Sequence, residues 1–288
     1  MSTAYLRFLG DQHVLITGGS SGIGLALALQ AAEAGARLSL VARDEGKLTA
    51  ARGAILEKCP KAAVLTATAD VAVQSAVLAA LTEAERVHGP VDVLVTSAGV
   101  AQPGYFEEVP VAVFARAMAV NYFGTLYPLK ALVPAMRQRG RGAVVLISSG
   151  AGLCGIFGYT PYAPSKFALR GLAESLRAEL VGTGVRIVIV YPPDTLTPQL
   201  AAENLTKPLE TRAITAGAGL WTAEAVARAT WEGLARGRFS VTPGLPLSAL
   251  AWLHSVAAPI LRWSFDRTAR QARVVARAAT AEGGRRGR

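Results

Sequence analysis

Tyr162 and Lys166 stand four residues apart in YAPSK, and Ser149 lies thirteen residues before the tyrosine. On a helix, positions i and i+4 share a face, which sets the phenol and the ammonium side by side. A free phenol, with a pKa near ~10, exchanges no proton readily at neutral pH; a cation a few Å away favours the phenolate and lowers that value. The pair therefore suits acid–base chemistry. A lone YxxxK also arises by chance in many helices, so the pair has meaning only if the surrounding elements build a site.

The strongest of those elements is near the start. His13–Thr17 (HVLIT) is a short apolar run that stops at glycines and reads as a buried strand. Gly18-Gly19-Ser20-Ser21-Gly22-Ile23-Gly24 follows, then an Ala- and Leu-rich helix closed by Gly35. Strand, glycine-rich turn and helix N-terminus in that order make a pyrophosphate site, because glycines let the backbone approach the anion and unsatisfied N–H groups hold it. An ordinary tight turn has the same residues, but the flanking elements here are those the motif requires. The second strand, 37–41, ends opposite the adenosine ribose. Where a carboxylate would bind a 2′-hydroxyl stands Ala42, and Arg43 after it suits a 2′-phosphate. NADP is favoured, with Asp44 close enough to compete for Arg43.

The remaining elements alternate. A helix over Glu45–Lys58 leads to a third strand at 62–66, after which Asp70 and Val71 fall beside the adenine. A helix over 73–88 ends at Gly89-Pro90; the strand 91–95 runs into Thr96-Ser97-Ala98-Gly99, whose small residues let the backbone pass close to a cofactor. Residues 111–139 form a long helical stretch with Asn121 near its middle, an unfavourable residue there by propensity. The strand 143–147 delivers Ser148 and Ser149 at its carboxyl end, where ligands bind in open parallel sheets. The helix that carries Tyr162 has a small face (Ala163, Ala168, Gly171, Ala178) suited to tight packing against a neighbour or a second subunit. A strand at 185–191 and the turn 192–197 follow. Residues 198–220 show no strong periodicity, with Pro208 and Gly217 as breakers, and read as a lid. A helix over 222–236 and a strand at 239–242 complete an α/β, Rossmann-type doubly wound parallel sheet of about seven strands in three layers. Residues 1–244 form one domain, with a lid at about 193–220, and 245–288 a helical C-terminal extension.

The net charge is +10 over 288 residues, and +6 of it lies in the last 27. The body is therefore only mildly basic, and with no recognition helix or stacking aromatics a nucleic-acid partner is not expected. Cys59 and Cys154 have no cysteine or histidine partner nearby, so neither a disulfide framework nor a metal site is suggested. A reducing compartment fits, and the N-terminus carries no signal-peptide pattern. Residues 245–261 contain no Asp, Glu, Lys or Arg; as a helix they reach about 25 Å, short of the ~30 Å hydrocarbon core, and Pro246 and Pro259 weaken them further. Beyond, Asp266, Arg270, Arg273 and Arg277 share one face and Ala272, Val275 and Ala279 the other. Two readings stand: a helix lying in a membrane interface with its arginines near headgroups, or a segment packed on the body or a second copy.

TGGSSGIG (17–24), TSAG (96–99), Asn121, Ser149, YAPSK (162–166) and the Pro192…Thr197 turn together resemble the short-chain dehydrogenase/reductase family, over residues 14 to about 197. The resemblance implies Tyr162 as general acid, and Lys166 as the cation that lowers its pKa and holds the nicotinamide ribose. It implies Ser149 as the donor that polarises a ketone and Asn121 as holder of a water in a relay to Lys166. It further implies contacts to NADPH or NADP+ from Gly18, Ser20, Ser21, Gly22, Ile23, Arg43, Asp70, Val71, Ala98, Gly99, Tyr162, Lys166, Pro192, Thr195 and Thr197. Two departures stand out: Thr96 replaces the first Asn of the usual NNAG, and Pro193 the glycine of the usual PG turn. PPDTLTP (192–198), AENLTKPLETR (202–212) and the stretch 148–180 resemble the branch of the family that reduces 3-ketosphinganine to sphinganine. That branch implies a long-chain lipid ketone as substrate and a place at the cytoplasmic face of a membrane. A reductase of another lipid or steroid ketone, and a non-catalytic NADP-binding protein, are the rival readings.

Overall fold

The computed structural model describes residues 4–216 and 219–244, Ser248, and scattered positions between 260 and 271. A short helix α1 (Ala4–Leu9) precedes β1 (His13–Thr17), α2 (Gly22–Glu33), β2 (Arg37–Ala42), α3 (Glu45–Lys58), β3 (Val64–Thr68), α4 (Gln74–His88) and β4 (Val93–Thr96). Then come α5 (Val111–Ala117), a π-helical segment (Met118–Phe123), α6 (Gly124–Gln138), β5 (Gly142–Ile147), a 3₁₀ turn (Gly150–Gly152), α7 (Tyr162–Glu179) and β6 (Val185–Val190). The last part holds β7 (Thr195–Leu196), α8 (Pro198–Thr206), α9 (Leu209–Thr215), β8 (Trp221–Thr222), α10 (Ala223–Ala235) and β9 (Ser240–Val241).

Seven strands form one parallel sheet in the order β3-β2-β1-β4-β5-β6-β9. The order reverses between β1 and β4, and ligands bind outside the carboxyl ends of the strands at such a point. The apolar run HVLIT is continuous because β1 is buried on both faces: Val14 and Ile16 join Leu27, Leu38 and Trp231 in one core layer, and Leu15 joins Leu94, Leu129, Met136 and Leu146 in the other. Trp231 is fully buried, and its indole N–H donates to Leu27 O at 3.2 Å, fastening α10 to α2.

Three expectations shift. The third strand occupies Val64–Thr68 rather than 62–66, because Ala62 N–H is spent in a turn on Cys59 O. The long helix is interrupted: Asn121 lies in the π-helical segment between α5 and α6. The stretch read as a structureless lid holds two helices, α8 and α9, and a two-stranded pairing of β7 with β8. Thr197 caps α8 by accepting from Leu200 N–H at 3.2 Å, and Pro198 follows in the first turn. The C-terminal extension lies largely outside the described residues. Ser248, at its start, is described: its hydroxyl bonds to Thr242 O and Gly244 O.

His13, at the start of β1, is fully buried, with its ring nitrogens 2.7 Å from Gly89 O and 2.9 Å from Ser39 Oγ. Burial lowers the imidazole to about 4 from its ordinary 6.5. Between those values the unfolded chain takes up a proton that the folded chain refuses, so stability present above pH 6.5 is lost as pH falls toward 4. We expect a loss of about 3 kcal/mol from this group over that range, and a shallower slope for His13→Gln, read by urea denaturation at stepped pH.

Candidate active site

A cleft of about 870 Å³ opens along the carboxyl ends of β1, β2, β4, β5 and β6. The glycine-rich turn forms one wall. A β-carbon on Gly24 would lie 2.2 Å from Gly18 O, and one on Gly18 would lie 2.6 Å from Ala98 N, so α2, its entry turn and the TSAG segment approach as only glycine allows. Ser21 stands at the N-cap of α2 without a side-chain cap bond, which leaves the first-turn N–H groups to face the cleft beside Gly18, Ser20, Gly22 and Ile23. This cradle fits a pyrophosphate. Farther along, Arg43 and Lys47 line the cleft. Asp44 is engaged as the N-cap of α3, accepting from Lys47 N–H at 2.9 Å, and no ion pair ties it to Arg43 among the described residues.

Val71, Ala98, Gly99, Ser149, Tyr162, Lys166, Pro192, Thr195 and Thr197 also line the cleft. Two expected residues do not. Asp70 accepts from Ala72 N–H and pairs with Arg116 at 2.9 Å. Burial alone would raise its carboxyl, but the amide and the guanidinium outweigh it and hold the group below the usual carboxylate range. Its side chain thus braces the chain after β3 against α5. Asn121 is fully buried, and its side chain is spent: Oδ1 accepts from Val100 N–H at 2.8 Å, and Nδ2 donates to Val100 O at 3.0 Å and Ser165 Oγ at 2.8 Å. Ser165 Oγ donates in turn to Tyr162 O at 2.6 Å. Asn121 thus stitches the segment after β4 to the first turn of α7, and its side chain makes no bond to Lys166.

Around Tyr162 the groups converge. Tyr162 opens α7, and Ser149, just past the end of β5, and Gln199 of α8 both act on its phenol. Lys166 is buried, and its ammonium donates to Ile147 O at 3.0 Å and lies 5.5 Å from the Tyr162 ring centre. At Gly99 a β-carbon would lie 3.4 Å from Asn121 Oδ1, 3.6 Å from Lys166 Nζ and 3.7 Å from Gln199 Oε1, so this glycine floors the junction. Burial lowers the ammonium to about 8, although Glu203 opposes this. The phenol departs from expectation. Burial pushes it up, and the charge of Glu203 adds to this, while the bonds from Ser149 and Gln199 act in the other direction. With Lys166 turned to a carbonyl, the carboxylate from the lid and the dry surroundings prevail.

Sequence reading did not find that lid chemistry. Gln199, Glu203, Tyr159 and Asp194 line the cleft. Tyr159 hydroxyl donates to Glu203 Oε2 at 2.6 Å, and Gln199 Nε2 to Glu203 Oε1 at 2.8 Å. Lys207, almost wholly buried, pairs with Asp194 at 3.0 Å, and Thr211 hydroxyl donates to Phe157 O at 2.8 Å, holding the lid shut. The available signal was Thr197-Pro198, a helix start that puts Gln199 and Glu203 one turn apart.

A short chain dehydrogenase family model matches residues 12–208. A 3-dehydrosphinganine reductase of Danio rerio is 45% identical over 249 residues, covering 84% of this chain and 75% of its own. Among solved structures, a short chain dehydrogenase/reductase from Burkholderia phymatum in complex with NAD is 25% identical with a TM-score of 0.78, over 88% of this chain and 95% of that one. L-sorbose reductase from Gluconobacter frateurii, complexed with NADPH and L-sorbose, is 27% identical with a TM-score of 0.70, over 81% and 95%.

The Asn121 stitch yields a prediction. Asn121→Ala leaves Val100 N–H and O without partners, and should lower the unfolding free energy by at least about 2 kcal/mol, read by chemical denaturation.

Proposed function

The chain belongs to the short-chain dehydrogenase family, and from that premise we propose that it reduces 3-ketosphinganine to sphinganine with NADPH. It is an oxidoreductase acting on CH–OH groups, with a nicotinamide cofactor. The observation that carries the reaction is the meeting of Ser149, Tyr162 and Lys166 in one cleft with a dinucleotide cradle. The substrate is supported by the relative of the same activity, whose likeness spans most of both chains.

The cofactor, when bound, supplies a hydride to the carbonyl carbon. Ser149 has its oxygen placed by Ala151 N–H at 3.1 Å, and its hydroxyl proton turns from the phenol to the carbonyl oxygen when a ketone binds. As charge builds on that oxygen, the Tyr162 O–H bond breaks and its proton completes the alcohol. A phenol held up by burial keeps that proton at neutral pH until an alkoxide demands it. The phenolate left behind has the Lys166 ammonium 5.5 Å from its ring centre, and the ammonium is drawn from Ile147 O toward it once the charge has formed. An enzyme that only sensed the cofactor would need neither the acid nor its cation.

NADPH over NADH is supported by Arg43 and Lys47 on the cleft wall and by the engagement of Asp44 as a helix cap. A membrane-surface location at the cytoplasmic face is supported by the apolar and arginine-rich extension. Within it Ile260 and Trp263 are exposed, with the Arg267 guanidinium 5.6 Å from the Trp263 ring centre. No helix among the described residues is long and apolar enough to cross a membrane. A homo-oligomer is supported by Phe123 and Phe167, both exposed beside α6 and α7.

Purified protein given NADPH and a panel of ketones should turn over 3-ketosphinganine with the highest kcat/KM; a steroid or simple lipid ketone ranking above it would sink the substrate. Tyr162→Phe should lower kcat by at least about a thousandfold while NADPH fluorescence titration still reports binding. Arg43→Ala should raise KM for NADPH by about tenfold or more and leave that for NADH nearly unchanged, read by initial rates.

A further inference from the structure

The wall facing Tyr162 holds a carboxylate that the chemistry above does not use. Glu203 is more than nine-tenths buried and lines the cleft. Its two bonds, from Tyr159 at 2.6 Å and Gln199 at 2.8 Å, come from neutral donors. A carboxylate offers about four acceptor positions, so half remain. No Lys or Arg among the described residues pairs with it: Lys207 pairs with Asp194 at 3.0 Å, and the Lys166 ammonium bonds Ile147 O at 3.0 Å. An unpaired charge in a dry site is unfavourable, and a cation arriving with a ligand would offset that.

Its position says which cation. Gln199 bonds Glu203 and lines the same cleft as Tyr162, and the Tyr159 and Tyr162 ring centres are 5.5 Å apart. Glu203 is thus one side chain from the acid along two routes. A ketone whose oxygen rests on Tyr162 and Ser149 has an α-carbon on either side, and Glu203 lines the same cleft to receive a substituent from one of them. Building on the function proposed above, we propose that Glu203 is an ammonium subsite, which makes the cleft selective for α-amino ketones. Tyr159 and Gln199 fix the carboxylate, and the protonated amine beside the carbonyl completes its coordination.

Pairing also reaches the reaction. The field of Glu203 opposes ionisation of Tyr162, and a cation placed on the carboxylate cancels that field just where the phenolate must form. An amine-bearing ketone should therefore gain in kcat as well as in KM. A carboxylate that merely tied the lid to Tyr159 would show no such preference.

Three matched ketones separate the cases: 3-ketosphinganine, its N-acetyl derivative, and the same chain without nitrogen. Full-length enzyme with NADPH should favour the free amine over both neutral ketones by about a hundredfold in kcat/KM, as expected for a hydrogen bond between charged groups. In Glu203→Gln, which keeps an acceptor for Tyr159, that preference should fall toward unity, and Glu203→Asp should restore part of it. Equal turnover of all three ketones by the unaltered enzyme would overturn the subsite and leave the proposed function standing, whether or not the variants fold. A Glu203→Gln variant that slowed all three by one factor would overturn it as well. Turnover of none would sink both.

Discussion

The phenol of Tyr162 lies between two buried charges that are not paired with each other. Below it the Lys166 ammonium is held by a carbonyl; above it the Glu203 carboxylate is held by a hydroxyl and an amide. Charges of opposite sign at close range in a dry site would collapse into an ion pair unless the backbone kept them apart. The surrounding elements do this. β5 supplies Ile147 O and Ser149, α7 fixes Tyr162 and Lys166 one turn apart, and α8 brings Glu203 across the mouth of the cleft.

Holding that separation requires stiffness at each joint. The first turn of α7 is fixed by Ser165, which is itself fixed by Asn121, so a residue with poor helix propensity sits in a π-helical segment to serve a neighbouring helix. The lid is fixed by buried contacts of Lys207 and Thr211. Gly158, at φ +76, passes so close that a β-carbon would meet Thr211 Oγ1 at 2.5 Å. The segment 202–212 is thus the part of the chain that closes the cleft over Tyr162.

Much of this was legible in the sequence and some was not, for a physical reason. β1 was plain because a strand buried on both faces carries an uninterrupted apolar centre, Val14–Ile16, and Tyr162 with Lys166 because helix spacing alone puts them on one face. The lid was illegible because hydrophobic periodicity marks helices whose inner face is apolar, and α8 turns Gln199 and Glu203 inward. Its start signal, Thr197 followed by Pro198, was local and readable on its own terms. The direction of the shift at Tyr162 was beyond local reading, since it depends on a carboxylate 41 residues later in the chain. Asp70 shows another limit: its place in the chain was readable, but its ion pair with Arg116 of α5, 46 residues away, was not.

Buried polar and charged groups gather at the cleft. Asn121, Lys166, Glu203 and Lys207 all lie in or around it, whereas the sheet beneath is mostly apolar, and its buried His13 and Ser39 are bonded to each other. That division of labour is what a fixed, dry reaction site demands. The apolar layers around β1, β4 and β5 supply the stability that the unfavourable burial of these groups consumes. The polar wall can then keep its charges unpaired until a ligand completes them.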